Sequence, residues 1–216
     1  MAEAELARFI DRYTMEFVRH YPHPIERVWR AVTEPGELAQ WFIKPSVWEL
    51  ESGGAYRFEE GFRGVIEAVE PPRLIRFNFA DPTETGSYFQ FELSPEGDGT
   101  RLRYLQHAAP GTARPWQPPH AWDTPWGGGN LGGWHSAFEE LADLLDGVPC
   151  GSRRPPTAFS AIAQDWADRF GAEFTAEQKS KILRELRERE RWFELCDIYR
   201  AHIDATLPPA EPARET

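Results

Sequence analysis

Residues 130–145 read NLGGWHSAFEELADLL and predict the helix around which the fold is built. Apolar side chains recur in this segment at steps of three and four, which places them on one helical face. Asn130 can cap the helix, because its short side chain accepts bonds from free backbone N–H groups. Gly147 and Pro149 predict its end, and the amphipathic face requires an apolar surface to pack against. That face consists of Leu131, Trp134, Phe138, Leu141 and Leu145.

A predicted antiparallel sheet in residues 46–107 supplies this surface. Apolar and polar residues alternate there with period two, and turns that contain Gly or Pro separate the runs. The alternation also covers residues 12–21, whereas residues 25–32 show helical spacing and residues 1–11 predict a further short helix. We therefore predict an α+β fold with a sheet of about six to seven strands and a long C-terminal helix.

The composition excludes several classes of partner. A net charge of -11 predicts no general affinity for nucleic acid or anionic membranes, because phosphate binding requires clustered Lys and Arg. No apolar run approaches the roughly 20 residues that span a bilayer, and the first residues do not resemble a signal peptide. Cys150 and Cys196 have no metal-type spacing and predict free thiols in a reducing compartment. The expected location is therefore cytoplasmic.

Two segments lie outside this plan. Residues 108–129 are rich in Pro and Trp and end in three glycines, and we interpret them as a flap beside a cavity mouth. Residues 150–156 are predicted to form a linker, residues 157–207 a helical extension with a fresh N-cap at Thr175, and residues 208–216 a disordered tail. The apolar face of the extension requires a cover, either the outer side of the sheet or a second copy of the chain. The second option predicts a homodimer through these helices.

Residues 1–149 resemble the START-like domains (SRPBCC, or Bet v 1-like, superfamily) of the activator of Hsp90 ATPase homologue type. The resemblance depends on the order and spacing of landmarks rather than on one motif, and it begins with PIERVWRAVTEP at residues 24–35. It implies a helix-grip fold, in which a curved antiparallel sheet wraps around a long C-terminal helix and leaves an apolar cavity. Further landmarks are Leu38, Trp41-Phe42, Gly53-Gly54, Tyr56, Phe58, Gly64, Val69, Pro71-Pro72, Leu74-Ile75-Arg76-Phe77, Gly133-Trp134, Leu141 and Leu145.

The resemblance implies an apolar cavity, and from this cavity we predict that the protein binds a small apolar or aromatic molecule, such as a lipid. Aromatic side chains on the facing elements are its expected lining, and the alternative is that they form a solid packed core. Tyr104, Gln106, His135 and Arg76 are candidates for the polar groups that orient the ligand. The predicted lining residues are Trp41, Phe58, Phe77, Phe79, Phe89, Phe91, Tyr104, Trp122, Trp126, Trp134 and Phe138.

An enzymatic alternative depends on three histidines and one aspartate. Related cavities host cyclase or hydrolase chemistry, for which His107, His120, Asp123 and His135 would carry acid–base roles. The sequence contains no Gly-rich phosphate loop and no Gly-x-Ser-x-Gly motif. We therefore expect no cofactor and no metal, and rim histidines without catalytic function are the simpler interpretation of this cluster.

A protein partner is the third alternative. The resemblance suggests a co-chaperone that binds Hsp90 and stimulates its ATPase, with a role in the stress response. This hypothesis depends only on the family name, because analogy between folds is a weak argument for function. The sequence also shows no basic docking surface for such a partner.

Overall fold

The computed structural model describes residues 6–59, 62–80, 85–109, 128–151 and 175–207. The flap predicted at residues 108–129, with His120, Asp123, Trp122 and Trp126, lies mostly outside these ranges. The described strands are β1 (Arg8–Asp11), β2 (Thr14–Tyr21), β3 (Pro45–Trp48), β4 (Ala55–Phe58), β5 (Arg63–Glu70), β6 (Leu74–Asn78), β7 (Tyr88–Glu96) and β8 (Gly99–His107). The described helices are α1 (Ile25–Thr33), α2 (Pro35–Trp41), α3 (Gly128–Leu145) and α4 (Ala176–Thr206).

The described strands form one antiparallel sheet in the order β1-β2-β8-β7-β6-β5-β4-β3. Phe17, Tyr104, Phe91 and Ile75 pair across four neighbouring strands in one row on the inner face. All four are at most 3% exposed, whereas the residues between them along each strand, such as Arg103, point to the outer face. One face of the sheet is therefore buried, and the predicted α+β helix-grip class is confirmed.

Helices α1 and α2 pack against α3 and the inner face of the sheet. Helix α1 buries Val28 and Val32, which are one turn apart on its apolar face. Pro35 occupies the first turn of α2, where backbone N–H groups have no acceptor within the helix. The absence of an N–H in proline therefore costs no helical hydrogen bond there. The indole Nε1 of Trp41 donates to the carbonyl of Ala31 at 2.8 Å, which fixes the two helices against each other.

The helix predicted at residues 130–145 is α3, and its apolar face is buried as expected. It begins at Gly128, so Asn130 lies in the first turn and the prediction of an N-cap there is wrong. The two glycines before Asn130 take up helical backbone conformations and extend the helix. At the other end Gly147 has φ +72° and donates to the carbonyl of Leu144 at 3.1 Å, which confirms the predicted stop. The apolar face is at most 6% exposed at Leu131, Trp134, Phe138, Leu141 and Leu145.

The N-terminal residues form a strand, so the short helix predicted at residues 1–11 is wrong for the described part. Strand β1 pairs with β2 and makes the eighth strand of the sheet. Just before it, the N–H of Ala7 donates to the hydroxyl of Tyr199 at 3.1 Å, and its carbonyl accepts from Nε2 of His202 at 2.7 Å. These partners are nearly 200 positions away, and such tertiary pairing overrides local propensity.

Helix α4 begins with a capping box. The hydroxyl of Thr175 accepts from the N–H of Gln178 at 3.2 Å, and the Gln178 side chain accepts from the N–H of Thr175 at 2.8 Å. The N-cap predicted at Thr175 is therefore confirmed. The proposed boundaries at 1–149, 150–156, 157–207 and 208–216 stay predictions, since residues 152–174 and 208–216 lie outside the described ranges.

The buried side chains of α4 pack on α3 rather than on the outer side of the sheet, whereas Trp192 and Phe193 are exposed. Leu195, Tyr199 and Ile203 are at most 2% exposed and belong to the same apolar cluster as α3. A Cβ added at Gly132 would lie 3.2 Å from Cβ of Leu195, so this glycine permits the close approach of the two helices. The prediction of packing on the outer side is wrong for this part of the extension, and the homodimer stays a prediction.

Candidate ligand site between the sheet and the third helix

The predicted aromatic lining meets between the sheet and α3, and its rings contact one another. The ring centroid of Trp134 lies 4.1 Å from that of Tyr104 and 5.8 Å from that of Phe138. Phe77 stacks on Phe89 at 4.6 Å, and Phe79 lies 5.4 Å from Phe89. These rings pack against one another under the middle of α3, and their contact with a ligand stays a prediction. The residues that are at most 5% exposed are Trp41, Phe58, Phe77, Phe89, Phe91, Tyr104, Trp134 and Phe138.

A half-open cleft of about 260 Å³ lies at one end of this core, between the end of β2 and α3. Phe138 and Ala142 from α3 and Tyr21 from β2 form apolar walls, while Arg19 and His135 supply polar groups. Period-two alternation along β2 brings Arg19 and Tyr21 to the same inner face as Phe17. The lining residues are Arg19, His20, Tyr21, Pro22, His135, Phe138, Glu139, Ala142 and Asp146.

Arg19 places a cation on the inner, otherwise apolar face of the sheet. Its guanidinium carbon lies 5.1 Å from the ring centroid of Phe17 and 5.6 Å from that of Phe138, which is cation–π distance. Nη1 donates to the carbonyl of Val18 at 2.9 Å. Nη2 is buried and has no hydrogen-bond partner among the described residues. Such an unmade bond costs about 1–3 kcal/mol.

His135 is held neutral in the wall of the cleft. Its Nδ1 lies 2.8 Å from the hydroxyl of Tyr199, which already accepts from the N–H of Ala7. That hydroxyl has no other acceptor among the described residues, so its hydrogen is directed to Nδ1 and the imidazole proton belongs on Nε2. Burial, followed by the positive charges of Arg19 and Arg191, lowers the pKa of His135 to about 3. Burial also raises the pKa of Tyr199, which keeps its hydroxyl protonated.

Both carboxylates of the cleft are already paired. Glu139 accepts from Arg191 of α4, with 3.2 Å between Oε2 and Nε, and this hydrogen bond raises the pKa of Arg191. Asp146 lies 2.7 Å from Nε2 of His23. Arg19 has no such carboxylate partner among the described residues. Arg19 therefore lies in the cleft without an ion pair of its own.

The predicted acid–base cluster does not assemble from the described residues. His107 lies on the outer face of the sheet, where Nδ1 is 2.9 Å from the hydroxyl of Thr14 and the ring stacks on Tyr88 at 5.4 Å. His135 lies on the opposite, inner side, so the two histidines do not meet. His120 and Asp123 lie outside the described residues.

The three other polar candidates, Tyr104, Gln106 and Arg76, are engaged elsewhere. The hydroxyl of Tyr104 donates to Oε1 of Gln106 at 3.0 Å within the core. Arg76 lies on the outer face, where its Nε donates to Gln90 at 2.6 Å, so its assignment to the cavity is wrong. Strand parity explains the error, because residue 76 lies between the inward residues 75 and 77.

The described part of the chain offers few other reactive groups. It contains no group of His, Cys, Asp and Glu that is arranged to hold a metal ion. Burial raises the pKa of Cys196 to about 11, so this thiol is protonated at neutral pH. None of the helices within the described ranges is long and apolar enough to cross a membrane.

Arg19 is one of the residues of this site that sequence analysis missed. Its signal was present, because Met15 and Phe17 mark the inward positions of β2 and residue 19 continues their alternation. A charged residue at an inward position departs from the apolar pattern and therefore points to a functional role. Ala142 carried no comparable signal.

Comparison with known proteins agrees with this architecture. Residues 22–146, more than half of the chain, match the family model described as Activator of Hsp90 ATPase homolog 1-like protein. A comparison with curated proteins finds no match. Among solved structures, the chain is similar to CalU16 from Micromonospora echinospora, with 22% identity, a TM-score of 0.50, and coverage of 88% of this chain and 94% of that chain. This coverage exceeds what residues 1–146 can supply, so the similarity extends past the family region.

Two further structures resemble the chain. A protein from Arthrobacter aurescens has 17% identity and a TM-score of 0.51, over 68% of this chain and 95% of that chain. MLL2253 from Mesorhizobium loti has 29% identity and a TM-score of 0.49, over 62% and 96% of the two chains. At this level of identity, CalU16 and the Arthrobacter protein show a shared fold alone. The match over residues 22–146 shows more: the chain belongs to the Activator of Hsp90 ATPase homolog 1-like protein family and carries its START-like, helix-grip domain.

Proposed function

We propose that this protein binds a small, mainly apolar or aromatic molecule in the cleft between β2 and α3. The observation that carries the proposal is the cleft itself, in which apolar walls from Phe138, Ala142 and Tyr21 surround the polar groups of Arg19 and His135. A few polar groups in an apolar pocket are typical of sites that bind and orient small molecules.

The packing of the aromatic core supports this location. Trp134 and Tyr104 are in ring contact under the middle of α3, so that space is occupied by the protein. The cleft lies one turn further along α3, where Phe138 forms the boundary between core and opening. A ligand there would extend the core outward rather than displace it.

A substitution that fills the cleft tests the proposal. Ala142 is half-buried in the cleft wall, and Ala142→Phe places a ring in the opening. Isothermal titration with phenol, phenylacetamide, 1-hexanol, phenylacetate and hexanoate measures binding to the native protein and the variant. We expect at least one compound to bind the native protein and to lose at least tenfold in affinity for Ala142→Phe.

The matched control is Ala39→Phe, which adds the same ring at an exposed position of α2. It should bind the compounds as the native protein does. Equal affinities for Ala142→Phe and the native protein, or no binding of any compound, would contradict the proposed function.

A further inference from the structure

Arg19 is a cation of the cleft that has no ion pair of its own among the described residues. Of the charged groups that line the cleft, Glu139 is paired with Arg191 and Asp146 with His23. Arg19 makes one hydrogen bond within the described residues, from Nη1 to the carbonyl of Val18. Partial burial removes some of the solvation of a cation, and an anion beside it is attracted more strongly there than in bulk solvent.

The guanidinium of Arg19 is also held in a restricted orientation. The rings of Phe17 and Phe138 lie 5.1 Å and 5.6 Å from it, and the bond to Val18 holds one of its nitrogens. Arginine has five N–H donors in a planar fork that matches the two oxygens of a carboxylate. Because most of these donors are unused, the fork can bind a carboxylate in the cleft without the loss of an existing ion pair.

His135 supplies a second donor on the opposite wall. With Nδ1 bonded to Tyr199, the proton is on Nε2, which lies 3.6 Å from Oε1 of Glu139. That distance is too long for a hydrogen bond, so the N–H remains available to a ligand oxygen. The neutral ring can donate this bond without adding a further charge to the cleft.

We propose that the ligand of this cleft is a small apolar monocarboxylic acid, whose carboxylate pairs with Arg19 and accepts from Nε2 of His135. This inference rests on the proposed function, because it names the chemical class that the same cleft selects. The volume of about 260 Å³ lies just below the roughly 300–1,000 Å³ of sites for drug-sized molecules, which limits the apolar part to one ring or a short chain. Phe138, Tyr21 and Ala142 contact that part.

The test compares an acid with its neutral isostere. Phenylacetate and phenylacetamide have the same shape and apolar surface but differ in charge. Titration of the native protein with the two compounds therefore measures the preference for the acid without any substitution. We expect phenylacetate to bind at least tenfold more tightly than phenylacetamide. The variant Arg19→Met keeps an unbranched side chain between the two rings and removes the charge, and it should bind both compounds with the same affinity. The matched control is Arg101→Met, on the outer face of β8, which should keep the preference for the acid.

The outcomes separate this inference from the proposed function. If phenylacetamide binds as tightly as phenylacetate, the inference is wrong and a neutral ligand is indicated for the cleft. If Arg19→Met keeps the preference for the acid, the inference is wrong because a group other than Arg19 binds the carboxylate. If neither compound binds and none of the other probes does, the proposed function fails with it. If Arg19→Met does not fold, Arg19→Lys takes its place in the test. Lysine carries a point charge instead of the planar fork, so we expect a weaker preference for phenylacetate. An unchanged preference would contradict a carboxylate that pairs with two nitrogens of Arg19.

Discussion

Two arginines on neighbouring strands show how the partner of a half-buried charge decides its role. Arg103 lies on the outer face of β8 and donates to Glu16 at 2.6 Å and to Glu92 at 3.0 Å. Burial alone would raise the pKa of Glu16, but the hydrogen bonds and charges of Arg103 and Arg8 lower it. Arg19 lies on the inner face of β2 and pairs with no carboxylate among the described residues. The outer arginine therefore stabilises the sheet, whereas the inner one is available to a ligand.

The buried His135 predicts a pH dependence of stability. Its pKa is about 3 in the folded protein, against about 6.5 in an unfolded chain. Below pH 6.5 the unfolded chain binds a proton at this residue that the folded protein does not bind until about pH 3, so the free energy of unfolding falls as the pH decreases through this window. The loss approaches about 1.4 kcal/mol per pH unit at the acidic side of the window.

Urea unfolding of the native protein and of His135→Gln at pH 7.5, 6.5 and 5.5 measures this effect. The variant removes the titrating group and retains a hydrogen-bonding side chain, so its free energy of unfolding should depend less on pH. All other side chains are the same in the two proteins, so their effects cancel in the comparison. A difference between the two proteins that stays constant with pH would show that folding does not lower the pKa of His135.

At the scale of the elements, two adjacent glycines of α3 have opposite surroundings. A Cβ added at Gly133 meets nothing within 4 Å, whereas one at Gly132 lies 3.2 Å from Leu195 of α4. Replacement of a helical glycine by alanine stabilises a helix by about 0.5–1 kcal/mol through the lower entropy of the unfolded chain. We expect Gly133→Ala to show this gain, and Gly132→Ala to be less stable than Gly133→Ala because α4 must shift to accept the added methyl group.

Thermal and urea unfolding of the two alanine variants make this comparison. Each variant serves as the control for the other, since both change the same residue type in the same turn. Equal stabilisation of both would mean that α4 does not pack closely against α3 in solution.

At the scale of the whole molecule, one hydroxyl joins three distant parts of the chain. Tyr199 of α4 accepts from Ala7 before β1 at 3.1 Å and lies 2.8 Å from Nδ1 of His135 in α3. Tyr199→Phe leaves two buried polar groups without this partner, so we expect the free energy of unfolding to fall by about 1–3 kcal/mol. Tyr13→Phe is the matched control, because the hydroxyl of Tyr13 makes no hydrogen bond to the described residues and its removal should change stability little.

Amide hydrogen exchange provides the corresponding local measurement. In Tyr199→Phe the N–H of Ala7 should exchange faster, since its only acceptor among the described residues is removed. A variant with unchanged stability and unchanged exchange at Ala7 would show that α4 does not hold the N-terminal residues in place.

Local patterns in the sequence were sufficient for much of the fold. The steps of three and four from Leu131 to Leu145 predicted the buried face of α3, and Gly147 predicted its end. The period-two alternation between residues 46 and 107 predicted an antiparallel sheet with one buried face. These features are local because the period of a helix or a strand is set by its own backbone geometry.

What the sequence alone determined about this protein is the α+β class, the family and the inward faces of α3 and the central strands. Only the tertiary structure decided that residues 8–11 form a strand, that α4 packs on α3, and that Arg19 and His135 share a cleft. The physical reason is distance along the chain, since the hydroxyl of Tyr199 is almost 200 residues from Ala7 and 64 from His135. Periodicity shows which way a side chain faces, but it does not show which distant group lies opposite or whether a charge there is paired.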